Sequence, residues 1–264
     1  MLCGGPKKLD IQGTVAPGYE AVRDQFEFEF TNRYEKHAQL CVYVGTEKVV
    51  DIWYSDPKAK NPMFREKEGA KFGPESIQML WSASKTISAY AFACAVSKGI
   101  VTYDQLVCKD WPEFGTDEGK KALTVKEILQ HRSGFAVLDV PVDPKFMTKE
   151  GLKSNKMAQV FEMTTQQFPD FAIAPSSRSY YHRQFRDNFT GEVVRKALGG
   201  DTTFGEWSSE NVFKPLAPEQ DGPQEIWMGF EGDVKHLVHP EPIENIGSMM
   251  CPKFMGRKAY ISFG

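Results

Sequence analysis

Residues 39–54 read Gln39-Leu-Cys-Val-Tyr-Val44, then Gly45-Thr-Glu-Lys48, then Val49-Val-Asp-Ile-Trp-Tyr54. The two outer runs are rich in β-branched and aromatic residues, which favour extended strands. The short segment between them contains a glycine, a residue that tight turns use often. The pattern therefore predicts an antiparallel hairpin.

Helical patterns lie on both sides of this hairpin. Before it, Val22, Phe26 and Phe30 recur every four residues between Gly18 and Tyr34, so they share one face of a predicted helix. After it, residues 55–75 are charged and contain several prolines and glycines, and we expect a loop there.

The next predicted helix is long and apolar and runs from about Ser82 to Lys98, with Gly99 where helix C-termini favour glycine. Thr124 and Glu127 have the spacing of a capping box, so another helix begins there, with Ile128 and Leu129 toward the core. Strands followed by many helices indicate an α+β fold. Further helices are predicted at 154–167, 183–198 and 204–213.

Composition excludes several classes of protein. The 264 residues carry a formal net charge of −3, which argues against general nucleic-acid binding. No apolar run is long enough to span a membrane, and Met1 to Asp10 lacks a secretory signal, so we expect a cytoplasmic protein. The cysteines have no metal-binding or redox spacing, and no cofactor or metal is predicted. They are Cys3, Cys41, Cys94, Cys108 and Cys251.

Two segments fit the pattern Ser-x-x-Lys, which occurs about once by chance in a chain of this size. Ser55-Asp-Pro-Lys58 lies in a polar segment with proline, where nothing holds the lysine near the serine, so we interpret it as a turn. Ser82-Ala-Ser-Lys85 opens the long predicted helix, where residues three apart share one face.

A helix start can make a nucleophile of Ser82. The partial positive charge and free N–H groups of a helix N-terminus favour an alkoxide-like oxygen and disfavour a protonated Lys85. Lys85 is then placed to accept a proton from the serine hydroxyl. The alternative is structural: Ser82 caps the helix and Lys85 is a solvated residue of its first turn.

The flanking motifs resemble those of the serine β-lactamase and penicillin-binding-protein superfamily, class C-like branch, which includes carboxylesterases. The resemblance covers about residues 18–216. It implies a single β-lactamase-related domain, 1–264, with an antiparallel sheet, a helical subdomain and a divergent tail at 217–264. It rests on the order of Trp81-Ser-Ala-Ser-Lys-Thr86, Gly99-Ile-Val-Thr-Tyr-Asp104, Trp111-Pro-Glu-Phe114 and Leu123-Thr-Val-Lys-Glu-Ile-Leu-Gln-His-Arg-Ser-Gly-Phe135.

The resemblance also implies a tyrosine beside Ser82 and Lys85 that passes a proton to the leaving group. Tyr180-Tyr-His-Arg183 precedes Gly191-Glu-Val-Val-Arg195, and counting back from Gly191 selects Tyr181, with Tyr180 as the alternative. Two residues depart from the pattern of the family. Phe185 stands where a threonine is expected and Asp187 where a glycine is expected.

The family's third element, a Lys/His-Thr/Ser-Gly triplet on a late strand, is not found after residue 216. We therefore expect an incomplete sheet and a shortened chain, such as a splice form or a fragment. That strand supplies one of two oxyanion N–H donors, whose loss typically costs ~10²–10³ in rate. An exposed sheet edge would also favour pairing of chains, so a homo-oligomer is possible.

Other polar residues are interpreted as structural. His131 is assigned to the end of a helix, and Glu192 to a helix surface. Asp110, Trp111 and Glu113 are expected to form a packed turn. The histidines at 182, 236 and 239 have no partner at metal-ligand spacing.

The sequence thus leaves two functional hypotheses. In the first, the chain is a serine hydrolase: Ser82 attacks an ester, amide or small-peptide carbonyl, Lys85 is the general base, and Tyr181 assists proton transfer in forming an acyl-enzyme. In the second, the chain is a catalytically inactive, truncated β-lactamase-like protein with a binding or regulatory role.

Overall fold

The computed structural model describes residues 8–32, 35–58, 72–74, 76–78, 80–135, 137–166, 181, 185–216 and 237–238. The strands are β1 Gln12–Val15, β2 His37–Val44, β3 Glu47–Ser55, β4 Ile77–Gln78 and β5 Leu237–Val238. The helices are α1 Glu20–Asn32, α2 Ser84–Ser97, α3 Glu118–Lys121, α4 Val125–Leu129, α5 Lys149–Lys153, α6 Lys156–Met163, α7 Arg186–Ala197, α8 Phe204–Ser208 and α9 Lys214–Leu216.

The elements form two compact units, one of strands with α1 and one of helices from α2 to α9. The α+β fold class predicted from the sequence is confirmed. The prediction of one β-lactamase-related domain stays a prediction, and the predicted divergent tail lies almost wholly outside the described residues. Within the ranges given above, no helix has the length and apolarity needed to cross a membrane.

In the strand unit, the predicted hairpin is confirmed. Strands β2 and β3 pair antiparallel, with His37 opposite Ser55 and Val44 opposite Glu47. Strand β1, which the sequence analysis missed, pairs antiparallel with the other side of β3 and gives the order β1-β3-β2. Among the described residues, no further strand extends this sheet, and β4 and β5 form a separate parallel pair.

Helix α1 packs its apolar face in the strand unit, as its four-residue spacing predicts. Phe26 is buried, and its ring centroid lies 5.1 Å from that of Phe30. Phe30 in turn meets Tyr54 of β3 edge to face, with centroids 4.8 Å apart. Such aromatic contacts add to the stabilisation that burial of apolar surface provides.

The helical unit is built around a buried aromatic cluster. Trp111 is fully buried, with ring centroids 5.2 Å from Phe114, 5.8 Å from Phe189 of α7 and 6.3 Å from Phe161 of α6. Its indole N–H donates to a carboxylate oxygen of Glu162 at 2.8 Å. The predicted packed turn around Trp111 is therefore present, and it joins α6 to α7.

Helix α2 ends as the sequence predicts but begins later. Gly99 has φ +73°, its N–H donates to the Val96 carbonyl, and the N–H of Ile100 donates to the Ala95 carbonyl. These two bonds form a Schellman end, for which glycine is the favoured residue. At the other end, the predicted start at Ser82 is wrong by two residues. A 3₁₀ turn, Trp81–Ala83, comes first.

The remaining predicted helices are present as α4 after Thr124, α6 within 154–167, α7 within 183–198, and helical turns over 204–213. Thr124 and Glu127 interact as predicted: a carboxylate oxygen of Glu127 accepts from the Thr124 N–H at 2.9 Å and from its hydroxyl at 2.7 Å. Ile128 is buried, as predicted, and Leu129 packs against the core. The segment predicted at 204–213 is α8 followed by a π-helical turn.

Replacing Trp111 tests how far the helical unit depends on the aromatic cluster. Trp111→Ala should lower the free energy of unfolding by about 3–5 kcal/mol, because it leaves a large cavity and removes the partner of Glu162. Urea denaturation measures the difference. The control is Tyr90→Ala on α2, where the side chain is exposed and the change should stay within about 0.5 kcal/mol. Equal losses in the two variants would contradict this assignment of the core.

Candidate active site

Ser82 lies in the 3₁₀ turn that precedes α2, and it is exposed to solvent. The N-cap position of α2 belongs to Ala83, and no side chain makes a capping hydrogen bond there. The alternative that Ser82 caps this helix is therefore wrong. Its hydroxyl stands just outside the helix N-terminus, where the backbone partial charge is positive.

Lys85 is the second residue of α2 and is half-buried. Because the 3₁₀ turn continues into the helix, Ser82 and Lys85 remain one turn apart along the same segment. The three-residue spacing recognised in the sequence therefore survives the later start of the helix.

The structure brings Tyr181 to Lys85, although the two residues are far apart in sequence. The Lys85 ammonium nitrogen lies 5.1 Å from the centroid of the Tyr181 ring. The Tyr181 side chain is half exposed, so it can reach both Lys85 and a ligand from solvent. The alternative tyrosine, Tyr180, lies outside the described residues.

Ser82 and Lys85 together make the Tyr181 phenol more acidic. A hydrogen bond with Ser82 is the largest cause that lowers the pKa of Tyr181 below its ordinary value. Burial opposes this effect, whereas the charge and hydrogen bond of Lys85 and the charge of Arg186 lower the pKa further. Hydroxyl, amine and phenol thus form one group that can pass a proton from one member to another.

His131 lies closer to this group than its structural assignment in the sequence analysis suggests. Its backbone is left-handed, with φ +60°, and its ring centroid lies 4.8 Å from that of Tyr181. Burial is the main cause that lowers the pKa of His131. The charges of Arg186 and Lys85 lower it further, while Asp187 opposes them. These surroundings favour the neutral imidazole, which adds no third cation beside the phenol.

Arg186 and Asp187, at the start of α7, bind the first turns of α2. One terminal guanidinium nitrogen of Arg186 donates to the Lys85 carbonyl at 2.9 Å, to the Ser88 hydroxyl oxygen at 2.9 Å and to Asp187 at 2.5 Å. The Ser88 hydroxyl donates to the same Asp187 oxygen at 2.7 Å.

The sequence analysis flagged Asp187 as a departure from the family pattern but missed Arg186 and Ser88. Two signals could have found them: an Arg-Asp pair placed just after the predicted Tyr181, and a serine three residues after Lys85 on the same helix face. Phe185, the other departure, is a buried core residue 6.2 Å from Phe161 between ring centroids.

Glu192 is buried, so its assignment to a helix surface is wrong. Arg195 donates to both of its carboxylate oxygens from Nε at 3.1 Å, and also donates to Asn155 and to the Gly200 carbonyl. Burial raises the pKa of Glu192 despite this pairing. A buried carboxylate needs such a partner, which the i, i+3 spacing to Arg195 provides.

The second Ser-x-x-Lys segment is a turn, as predicted. Ser55 ends β3, and its hydroxyl lies 2.8 Å from a ring nitrogen of His37. The backbone N–H of Lys58 donates to the Asp56 carboxylate at 2.8 Å. Ser55 is therefore engaged by His37 across the hairpin.

Of the remaining histidines, those at 182, 236 and 239 lie outside the described residues. Within the described part of the chain, no group of three or more histidine, cysteine, aspartate or glutamate side chains has a metal-binding arrangement.

Comparison with known proteins relates this arrangement to one family. The family model for Beta-lactamase matches residues 30–220. LipL of Mycobacterium tuberculosis, described as an esterase/β-lactamase, is 28% identical over 130 residues, which cover 48% of this chain and 28% of LipL.

Solved structures agree with that relationship. A penicillin-binding protein homologue from Caulobacter crescentus is 28% identical with a TM-score of 0.62, over 79% of this chain and 51% of its own. A family VIII carboxylesterase is 25% identical with a TM-score of 0.62, over 79% of this chain and 52% of its own. The chain thus spans about half the length of these two structures.

The ionisation of Tyr181 can be measured directly. Phenolate absorbance of the protein minus that of Tyr181→Phe should give a midpoint below that of an ordinary tyrosine. Ser82→Ala removes a hydrogen bond that favours the phenolate, and Lys85→Met removes a cation, so each change should raise the midpoint. Tyr90→Phe on the exposed face of α2 should leave the difference unchanged. An ordinary midpoint in the unaltered protein would contradict the described geometry.

Proposed function

The chain belongs to the Beta-lactamase family, and from that premise we propose that it is a serine hydrolase that acts on an ester or amide carbonyl through an acyl-enzyme. The observation that carries the proposal is the contact of Ser82, Lys85 and Tyr181 in one group, since a weak nucleophile needs an adjacent base and a proton carrier. Ser82, Lys85 or Tyr181 taken alone would be weak support for a hydrolase.

In the proposed reaction Lys85 acts in its neutral amine form, and the Ser82 hydroxyl oxygen attacks the carbonyl carbon while its proton passes to that amine. The tetrahedral intermediate carries its negative charge on the former carbonyl oxygen, toward which the Ser82 backbone N–H donates. When the bond to the leaving group breaks, Tyr181 gives that group a proton and is reprotonated from Lys85. Water then attacks the acyl-enzyme, and Ser82 recovers its proton.

The lowered pKa of Tyr181 suits this role, because a proton carrier works best when its pKa approaches the working pH. A small ester is the favoured substrate class. LipL is described as an esterase/β-lactamase and one solved structure as a carboxylesterase, and Ser82 and Tyr181 are accessible from solvent. A cytoplasmic setting and pairing between copies remain parts of the proposal.

Covalent labelling with a fluorophosphonate ester, read by intact mass, tests the nucleophile. We expect one adduct, absent in Ser82→Ala and formed roughly 10²-fold more slowly in Lys85→Ala, because general-base assistance is typically worth that much. Ser55→Ala and Ser84→Ala are matched controls and should keep the adduct. Ser55 belongs to the second Ser-x-x-Lys segment, and Ser84 is an exposed neighbour of Ser82.

The labelling result separates the two hypotheses from the sequence. An adduct on Ser82 that depends on Lys85 supports the hydrolase, and hydrolysis of a series of small esters would follow. A chain that melts cooperatively and forms no adduct would refute the hydrolase for this chain. The alternative, an inactive β-lactamase-like binding or regulatory protein, would then be favoured.

A further inference from the structure

We propose that Arg186 and Asp187 are positioning residues that fix the first turns of α2 and thereby orient the group formed by Ser82, Lys85 and Tyr181. This inference rests on the proposed function, because it concerns the same site. It rests on geometry: the Arg186 guanidinium binds the backbone of Lys85 itself, at its carbonyl oxygen.

The contacts of Arg186 leave the start of α2 little freedom. Its guanidinium reaches the Lys85 carbonyl and the hydroxyl of Ser88, which are one turn apart on α2. Asp187 accepts from both the guanidinium and the Ser88 hydroxyl. These bonds join α7 to α2 at the turn that carries the Lys85 amine. They fix the direction in which that side chain leaves the helix.

The location of Arg186 is unfavourable for a residue that only stabilises the fold. It is the first residue of α7, where the helix dipole disfavours a positive charge, and it is only 7% exposed. A buried charge is costly unless it is paired and hydrogen-bonded. Asp187 offsets both costs, since an acidic residue suits the first turn of a helix. Departures from local preference of this kind occur at functional sites.

The charge of Arg186 also acts on the group it orients. It lowers the pKa of Tyr181 together with Lys85, and it lowers the pKa of His131. The charged and titratable residues around the phenol therefore come from three elements. They are Lys85 on α2, His131 after α4, and Arg186 on α7, while the charge of Asp187 acts on His131.

Position and charge can be separated with two substitutions of Arg186. Arg186→Lys keeps the positive charge but lacks the planar guanidinium, whose Nε and terminal nitrogen both donate to Asp187 and so aim the terminal N–H groups at the first turns of α2. It should slow fluorophosphonate labelling of Ser82 roughly 10²-fold, the effect of misplacing a reacting group by about 1 Å. In both variants the contacts of Tyr181 with Ser82 and Lys85 are loosened, so its titration midpoint should rise, and it should rise further in Arg186→Gln, which removes the charge as well.

Arg195→Lys is the matched control. Arg195 lies on the same helix, is buried and is paired with an acidic neighbour, but among its described contacts none is with α2. Loss of the Arg195 guanidinium should lower the melting temperature of the protein. It should leave both the labelling rate per folded molecule and the Tyr181 titration midpoint unchanged. If labelling of Ser82 is slowed equally in Arg195→Lys and Arg186→Lys, the proposal is overturned, because the effect would then follow from altering any buried arginine.

Ser88→Ala tests the same bridge if substitution of Arg186 prevents folding. It deletes one hydroxyl that links Arg186 to Asp187 and should slow labelling roughly tenfold, the equivalent of one charge-assisted hydrogen bond. Ser97→Ala, at the far end of α2, should have no effect. Unchanged labelling in both Ser88→Ala and Arg186→Lys would refute the positioning role.

Failure of the proposed function would be recognised separately. A wild-type chain that is never labelled refutes the hydrolase, whereas the Tyr181 titration needs no chemical turnover and still tests Arg186. A midpoint that is the same in wild type, Arg186→Lys and Arg186→Gln would then refute the inference by itself.

Discussion

The hydrogen bonds between the Arg186 guanidinium and the first turns of α2 are the constraint on which the geometry of this site depends. Ser82 and Lys85 are local neighbours, and their mutual placement needs only one turn of backbone. Tyr181 lies a few residues before α7, and its ring centroid lies 5.1 Å from the Lys85 ammonium nitrogen, so this contact brings the chain near the start of α7 to α2. Arg186 and Asp187 lie at that junction and bind the Lys85 carbonyl and the Ser88 hydroxyl.

The aromatic cluster holds α7 in place one turn after Arg186. Phe189 stacks on Phe161 of α6 with ring centroids 4.6 Å apart and meets Trp111 edge to face. These aromatic contacts bury apolar surface and bring α7 to the core in the stacked and edge-to-face geometries that aromatic rings prefer. Hydrogen bonds add further directional contacts: Arg186 binds the Lys85 carbonyl of α2 near the start of α7, and Arg195 binds Asn155 nearer its end. Aromatic packing and hydrogen bonds thus both hold α7 against its neighbours, at successive turns of the helix.

The ionisation of the Tyr181 phenol depends on the charges of the side chains around it. Lys85 and Arg186 both favour the phenolate of Tyr181, and His131, which contacts its ring, is held neutral. Asp187 limits the cost of burying Arg186 without lying among the main influences on the phenol. The expected glycine at this position could not have offered a carboxylate. In this chain, the departure from the family pattern supplies the carboxylate that accepts from Arg186 and Ser88.

The sequence by itself determined the elements whose cause is local. The hairpin follows from two β-rich runs and a glycine turn, the end of α2 from Gly99, and the pair Ser82 and Lys85 from helical spacing. The start of α2 was displaced because 3₁₀ and α turns have nearly the same local preferences.

Only the tertiary structure decided what lies far apart in sequence. It placed Tyr181 against Lys85, a contact that the family resemblance had implied and helix periodicity had not, and it showed that His131 contacts the phenol and that β1 adds to the hairpin. It also decided burial: Glu192 reads as a surface residue until Arg195, Asn155 and the Gly200 carbonyl are seen around it. The physical reason is that hydrogen bonds and desolvation depend on which groups meet after folding, whereas helix and strand periodicity depend only on neighbours along the chain.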